Sequence, residues 1–177
     1  AHAETISNTA TITWDAGARR VGINSNRVDL PVNRTRPAVL SAYQFVSGQG
    51  GEAMSVQGSM CQTAQGEVPV TLEGAFAGLS LSPATLKPAS AIRAGEPLVV
   101  ALTSPEDNID PASIDTVQID LSTPSGDSER IRLTETSANS GQFTGLVKTV
   151  GIPPAPVSGN CALSVRPGDN IILSGKN

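Results

Sequence analysis

Alternating apolar and polar residues mark much of the chain, most clearly over residues 114–148. A period of two predicts strands that bury one face, and the turn-forming clusters 123–128 and 137–141 divide the stretch into three parts. We therefore predict three strands in an antiparallel meander. Their alternating apolar residues are Val117, Ile119, Leu121, Ile131, Leu133, Phe143 and Val147.

The first 33 residues carry the same alternation on two shorter stretches, 5–14 and 21–32. Residues 15–17 between them form a turn cluster, so the pattern predicts a β-hairpin. The polar stretch 33–37 ends in proline and is typical of a linker. On the first stretch one face carries Ile6, Ala10, Ile12 and Trp14. On the second stretch the apolar positions of the alternation are Val21, Ile23, Val28 and Leu30.

Short strand patterns separated by turns occupy the rest of the chain, and no segment has a helical period with caps. This predicts an all-β fold of sandwich or barrel type. We expect an N-terminal hairpin segment at 1–33, a small β part with its linker at 34–79, and an immunoglobulin-like β-sandwich at 80–177. The further predicted strands are 38–47, 53–57, 67–72 and 95–103, with 161–165 and 170–174 as a closing hairpin.

Composition narrows the class of protein. Of 177 residues, 38% are hydrophobic and 16% are charged, which is typical of a globular chain and not of a disordered or membrane-spanning one. No apolar run approaches the ~18 residues of a spanning helix. The net charge of −4 disfavours nucleic acid and anionic membrane surfaces as partners, because both require basic patches.

The two cysteines, Cys61 and Cys161, lie 100 residues apart. This spacing excludes a CxxC redox or zinc motif. A long-range disulfide fits an exported β protein, and two unpaired buried thiols are the alternative. If the bond forms, it joins the small β part to the sandwich. Ala1-His2-Ala3 has the small-x-small form left at a signal-peptidase site, with a vector remnant as the competing explanation.

The stretch 95–145 resembles a conserved-repeat β-sandwich module of large, multi-domain exported bacterial surface proteins. The resemblance also includes the cysteines and two N-terminal motifs, Ser7–Ala10 and Ser25–Val28. Its most specific matches are Gly95–Leu98, Asn108, Asp110-Pro111, Asp115–Val117, Gly126–Glu129, Leu133–Thr136 and Asn139–Gly145. The resemblance implies an exported β-rich module of the periplasm, outer membrane or cell surface, with neighbouring modules of the same longer chain as partners. It does not imply an enzyme.

The acidic loop before the meander holds four oxygen donors, Glu106, Asp107, Asn108 and Asp110. Oxygen donors close in sequence are what Ca²⁺ requires, although it takes six to eight of them. The alternative is a turn in which Asn and Asp side chains bond nearby backbone amides. The resembling modules often have Asp where this chain has Ser104, which weakens the metal hypothesis.

Other candidate residues favour structural roles. Glu135, placed by the pattern on the polar side of its strand, is expected to bond the turn 137–141. Trp14, Tyr43 and Phe45 are expected to fill the core, and docking of a partner or glycan is the alternative. His2 is the only histidine and lies in the terminal tail, so a Ser-His-Asp or Cys-His pair has no base in the folded part.

These observations together favour a non-enzymatic structural or interaction module of an exported bacterial cell-envelope or surface protein. The alternative function is a ligand-binding adhesion module, for carbohydrate or dependent on Ca²⁺. No cofactor is predicted beyond that possible Ca²⁺. The possible partners outside the chain are a protein or a glycan.

Overall fold

The computed structural model describes residues 3–33, 37–46 and 50–175. In that part the regular elements are strands, apart from one turn of 3-10 helix at Gly74–Phe76. The predicted all-β class is therefore confirmed. The strands are β1 (Ala3–Asn8), β2 (Thr11–Ala16), β3 (Arg19–Asn24), β4 (Val28–Asn33), β5 (Val39–Phe45), β6 (Glu52–Met54), β7 (Met60–Thr63), β8 (Gly66–Pro69), β9 (Ala84–Pro88), β10 (Leu98–Thr103), β11 (Thr116–Ser122), β12 (Ser128–Glu135), β13 (Gln142–Val147), β14 (Thr149–Gly151), β15 (Leu163–Val165) and β16 (Ile172–Gly175).

The chain forms two compact units, residues 1–36 and residues 37–177. In the first unit β2 pairs with β3 and β1 pairs with β4, both antiparallel. The predicted hairpin is thus present, but each of its two sides is divided into two strands. Two residues at 9–10 face three residues at 25–27 between the strand pairs, so the extra residue interrupts the ladder as a bulge does.

The second unit is built around one sheet with the strand order β16-β11-β12-β13-β10-β5-β9-β6. The predicted meander is confirmed as β11, β12 and β13, which pair antiparallel in sequence order. Strand β12 has two partners on its second side: β13 pairs with its end, whereas β7 pairs with its middle at Ile131 and Arg132. Strand β8 extends the sheet beyond β7.

The segments 34–79 and 80–177 were expected to be separate parts, yet strands from both join this sheet. Strand β5 pairs with β10 along the whole length of β10, and β7 pairs with β12. Both cysteines therefore lie within the second unit. Strand β10 is central in this sheet and needs hydrogen-bonding neighbours on both sides, and β5 supplies one of them. The two segments are therefore joined through their backbones in one sheet.

The core lies on both faces of β10 and β13. Leu98 and Val100 belong to one apolar layer, whereas Val99, between them in sequence, belongs to a second. Burial on two faces is why this strand is a continuous apolar run and not an alternating one. The two layers are consistent with a β-sandwich, and the immunoglobulin-like topology stays a prediction. The larger layer also includes Leu102, Ile119, Leu121, Ile131, Leu133, Phe143, Val147 and Leu163.

The predicted closing hairpin is wrong. Strand β15 pairs parallel with β14, and β16 pairs with β11 at the end of the large sheet. A parallel pair needs a crossover connection, and the proline-rich segment 152–162 returns the chain so that β15 can run beside β14 in the same direction. A turn at 167–169 follows β15, but the strands on either side of it have different partners.

A search of the described residues for membrane-crossing segments finds no helix with the length and apolar content to span a bilayer.

Close packing at Gly145 gives a test of the core. A Cβ atom on Gly145 would lie 2.6 Å from Leu133 Cδ2 and 2.9 Å from Ser59 Cβ. We expect Gly145→Ala to lower the free energy of unfolding in urea by about 1–3 kcal/mol, because overpacking displaces these neighbours. Gly58→Ala is the matched control, since a Cβ atom there meets nothing within 4 Å. Equal stability of the two variants would contradict the packing.

Candidate functional site

Three carboxylates are buried on or beside β12, those of Asp127, Glu129 and Glu135. An ionised carboxylate without water requires hydrogen-bond donors from the protein. Glu129 and Glu135 have the same parity as Ile131 and Leu133, so they extend the buried face of the strand at its two ends. The prediction that Glu135 lies on the polar side of its strand is therefore wrong.

Glu135 binds two loops at one end of β12. Its Oε1 accepts hydrogen bonds from Gly141 N at 2.8 Å and Ser140 Oγ at 3.2 Å, and its Oε2 accepts one from Asp115 N at 3.1 Å. The predicted bond to the turn 137–141 is thus confirmed. Burial acts to raise the pKa of the Glu135 carboxyl, but these donors outweigh it, and the pKa lies below its ordinary value of 4.5.

Glu129 lies at the other end of β12, against the Cys61–Cys161 disulfide. Its Oε1 accepts a hydrogen bond from Asn160 N at 3.1 Å, its Oε2 accepts one from Cys161 N at 2.9 Å, and Cys61 Sγ lies 3.6 Å from Oε2. Burial, with a smaller contribution from the charge of Asp127, raises the pKa of Glu129 despite the opposing effect of the N–H donors. The carboxylate and the disulfide together hold the loop before β15.

Asp127 joins the turn before β12 to β15. Its Oδ2 accepts a hydrogen bond from Ser164 N at 2.7 Å, and its Oδ1 accepts one from Ser128 N at 2.8 Å. Each of the three buried carboxylates therefore accepts hydrogen bonds from backbone N–H groups through both oxygens. This arrangement fixes loops to the sheet, which is a structural role.

The predicted Cys61–Cys161 disulfide is confirmed. The same two sulfurs and a Glu129 carboxylate oxygen form a group of potential metal-binding atoms within 4.8 Å of one another. A metal ligand at cysteine is the thiolate, and both sulfurs are already bonded to each other. In its oxidised form this group cannot act as a metal centre.

The four residues proposed for Ca²⁺ do not share one set of contacts. Asp110 accepts hydrogen bonds from Ala112 N at 3.0 Å and Ser113 Oγ at 2.9 Å, which is a closed local turn. Asn108 donates from Nδ2 to Asn139 Oδ1 at 2.8 Å, and Glu106 is exposed. Glu106, Asp107 and Asp110 form no three-carboxylate group within 4.8 Å in the described part of the chain. The geometry matches the alternative of an Asx-type turn.

The aromatic residues divide between the two units. Tyr43 and Phe45 pack against the second apolar layer, as predicted. Trp14 is 47% exposed, so its predicted place in the core is wrong. It lies on β2 directly opposite Val21 on β3, beside the pair Ile12 and Ile23, and all four side chains are exposed.

The shared face of Ile12 and Trp14 was therefore predicted correctly from the sequence, and the burial of Trp14 was not. Alternation shows which side chains share a face, but it does not show whether another part of the chain covers that face. An exposed apolar face on a two-stranded hairpin is the functional feature that the sequence analysis missed. The available signal was that a hairpin followed by a linker contains no third strand or helix of its own to cover an apolar face.

A large groove of the second unit has a volume of about 650 Å³. Its floor is apolar, with Leu98, Val165 and Leu173, and Arg93 and Arg166 lie in its wall. The carboxylate of Asp169, also in the wall, accepts hydrogen bonds from Ser125 Oγ and Arg166 N. The groove has the chemistry to bind an apolar group with a nearby negative charge.

His2, the histidine that the sequence analysis placed in the terminal tail, lies outside the described residues. Comparisons of the chain with protein-family models, with curated proteins and with solved structures find no match.

The lowered pKa of Glu135 predicts a pH-dependent contribution to stability. A carboxyl whose pKa is lower in the folded state stabilises the fold above its unfolded pKa, near 4.5, and this contribution disappears as the pH falls through the folded value. We expect Glu135→Gln to lower the free energy of unfolding at pH 7 by about 1–3 kcal/mol, since the amide leaves a buried N–H donor unpaired.

The measurement is urea unfolding of both proteins between pH 7 and pH 3. The difference between them should shrink as the pH falls below 4.5. Glu106→Gln, at an exposed position, is the control and should change stability by less than about 0.5 kcal/mol. A difference between wild type and Glu135→Gln that does not vary with pH would contradict the role given to the carboxylate.

Proposed function

We propose that this chain is a non-enzymatic structural and interaction module of an exported bacterial cell-envelope or surface protein. The observation that carries the proposal is the buried Cys61–Cys161 disulfide with the Glu129 carboxylate against it. Disulfides form and persist in oxidising compartments outside the cytosol. The bond closes a long loop around the second unit, so the stability of the module is linked to its location.

The polar groups in the interior support a structural role. A carboxylate that acts as a general base must reach the proton it abstracts within hydrogen-bond distance. Here both oxygens of Asp127, Glu129 and Glu135 accept hydrogen bonds from the protein's own loops. Such contacts make a rigid body from short strands, which is what a spacer between neighbouring modules requires.

The exposed hairpin supports the interaction half of the proposal. Monomeric proteins rarely leave a contiguous apolar face uncovered, and such faces mark interaction sites. In this chain the face lies on the small unit, on both strands of the hairpin. The larger unit has two buried apolar layers and also exposed apolar residues such as Ile109 and Ile114.

A ligand-binding adhesion module is the second candidate function. The groove of about 650 Å³ favours it, because its volume is within the range of small-ligand sites. The groove contains none of the chain's few aromatic side chains, which disfavours a carbohydrate that stacks on aromatic rings. Direct titration with oligosaccharides, followed by calorimetry, would separate this function from the structural one.

Removal of the disulfide tests the structural proposal. We expect a Cys61→Ala/Cys161→Ala variant to lose about 2–5 kcal/mol in the free energy of unfolding, because the unfolded chain regains the entropy of a 100-residue loop. Reduction of the wild type should give the same loss, measured by urea unfolding with and without reductant. In the variant the reductant should have no effect, which is the control. A wild type equally stable in both conditions would contradict the proposal.

Calcium tests the second candidate. A ligand that binds only the folded state raises its melting temperature. We expect no change in melting temperature on adding millimolar Ca²⁺ or a chelator, because both Asp110 oxygens already accept hydrogen bonds within their turn. A rise of several degrees that is lost in Asp110→Asn would instead establish a Ca²⁺ site and favour the adhesion function.

A further inference from the structure

The hairpin of the first unit has one apolar face. Ile12 is opposite Ile23, and Trp14 is opposite Val21, so the four side chains form two adjacent cross-strand pairs. Ile12 and Ile23 are 66% and 60% exposed. The other face of the same strands carries Thr11 and Thr13, with Thr11 Oγ1 donating to Asn24 Oδ1 at 2.7 Å. The hairpin is therefore amphipathic, with one apolar face that is free to pack against a partner.

The two units carry net charges of opposite sign. Residues 1–36 contain five basic and three acidic residues, a net charge of +2, whereas residues 37–177 contain seven basic and thirteen acidic residues, a net charge of −6. Arg19 lies at the tip of the hairpin, where β3 begins, on the same face as Val21 and Ile23, whereas Arg20 lies on the other face directly opposite Asp15. Neither forms an ion pair among the side chains that the structure describes.

One exposed surface of the second unit has the complementary chemistry. The turn 106–115 carries Ile109, which is 81% exposed, and Ile114, which is 50% exposed. Asp115 Oδ2 accepts hydrogen bonds from Ile109 N at 2.7 Å and from Asp110 N at 2.9 Å, which holds this turn in a fixed shape. Glu106 and Asp107 add negative charge at the start of the same turn. We call this surface the acidic turn.

We propose that the apolar hairpin face of one copy of this chain docks on the acidic turn of a second copy. Ile12, Trp14, Val21 and Ile23 cover Ile109 and Ile114, while Arg19 pairs with the carboxylates of Glu106 and Asp107. The inference rests on the proposed function as an interaction module and names its partner. The contact joins two different surfaces, so repeating it gives a head-to-tail chain of copies and not a closed pair.

Charge decides between this contact and two others. Packing of one hairpin face on another brings two units of net charge +2 together, which is unfavourable. The large groove is apolar as well, but Arg93 and Arg166 in its lining would repel Arg19, and its one acid, Asp169, already accepts hydrogen bonds from Ser125 and Arg166. The acidic turn is the surface where the apolar contact and the ionic contact act in the same direction.

Trp14 makes the contact measurable, since it is the only tryptophan in the chain. The test is sedimentation velocity and tryptophan emission of the full chain from micromolar to millimolar concentration. We expect self-association with a blue shift of the emission as Trp14 becomes buried. Salt should weaken it, because exposed ion pairs are screened.

Two variants separate the two surfaces. We expect Ile12→Ser/Ile23→Ser on the hairpin and Ile109→Ser/Ile114→Ser on the acidic turn each to weaken self-association at least tenfold. Because each retains one intact surface, an equimolar mixture should form a heterodimer that grows no further. Thr11→Ser/Thr13→Ser, on the opposite hairpin face, is the matched control and should associate as the wild type does.

Charge reversal provides a second test at the same surfaces. Arg19→Glu and Glu106→Lys/Asp107→Lys should each weaken association of the protein with itself. In a mixture of the two, the unchanged hairpin face and the unchanged acidic turn still dock, and the two charge-reversed surfaces should dock on each other as well. This mixture should therefore grow beyond a heterodimer, which the mixture of serine variants does not.

Four outcomes would overturn the inference. The first is a wild type that stays monomeric at every concentration. The second is an acidic-turn variant that associates as the wild type does, which would indicate hairpin-to-hairpin packing. The third is a monomer whose tryptophan emission changes on mutating the acidic turn, which would indicate docking within one chain. The fourth is a mixture of the two serine variants that forms no heterodimer. In each case unchanged disulfide-dependent stability would leave the structural proposal standing.

Discussion

The requirement that a buried carboxylate receive hydrogen bonds organises the second unit. Strand β12 is at the centre of the meander, and its buried face ends in Glu129 on one side and Glu135 on the other. Water is excluded at both positions, so the backbone N–H groups of adjacent loops replace it. Glu135 thereby fixes the loops next to β11 and β13, and Glu129 fixes the loop that carries Cys161. Short strands joined by irregular loops become one rigid body through these bonds.

Much of the fold was predictable because alternation reports directly on which residues face the same way. The meander of β11 to β13, the N-terminal hairpin and the all-β class all follow from a period of two. The Cys61–Cys161 bond was expected from composition. The turn at Asp110 was recognised as the alternative to a metal site, since Asp side chains commonly bond nearby backbone amides.

The remaining features depend on contacts between residues distant in sequence, which a local pattern does not contain. The partners of β15 and β16 were wrong because a turn at 167–169 suggests a hairpin, whereas pairing is decided by which strand edges are free. Glu135 was placed on the polar side because it is an acid, although its parity with Leu133 indicated the buried face. Trp14 was placed in the core because aromatic residues are usually buried, yet nothing in the first unit covers it among the described residues.

The exposure of Trp14 also links the hairpin to its partner energetically. An isolated two-stranded hairpin is marginally stable in water, because its cross-strand pairs do not offset the entropy of ordering the strands. A partner that covers Ile12, Trp14, Val21 and Ile23 adds apolar burial only when the hairpin is formed, and by mass action it stabilises that state. The second unit needs no such help, since the disulfide and the buried carboxylates already hold it. Association between copies and ordering of the hairpin are then one process, so the unit that is least stable alone is the unit that makes the contact.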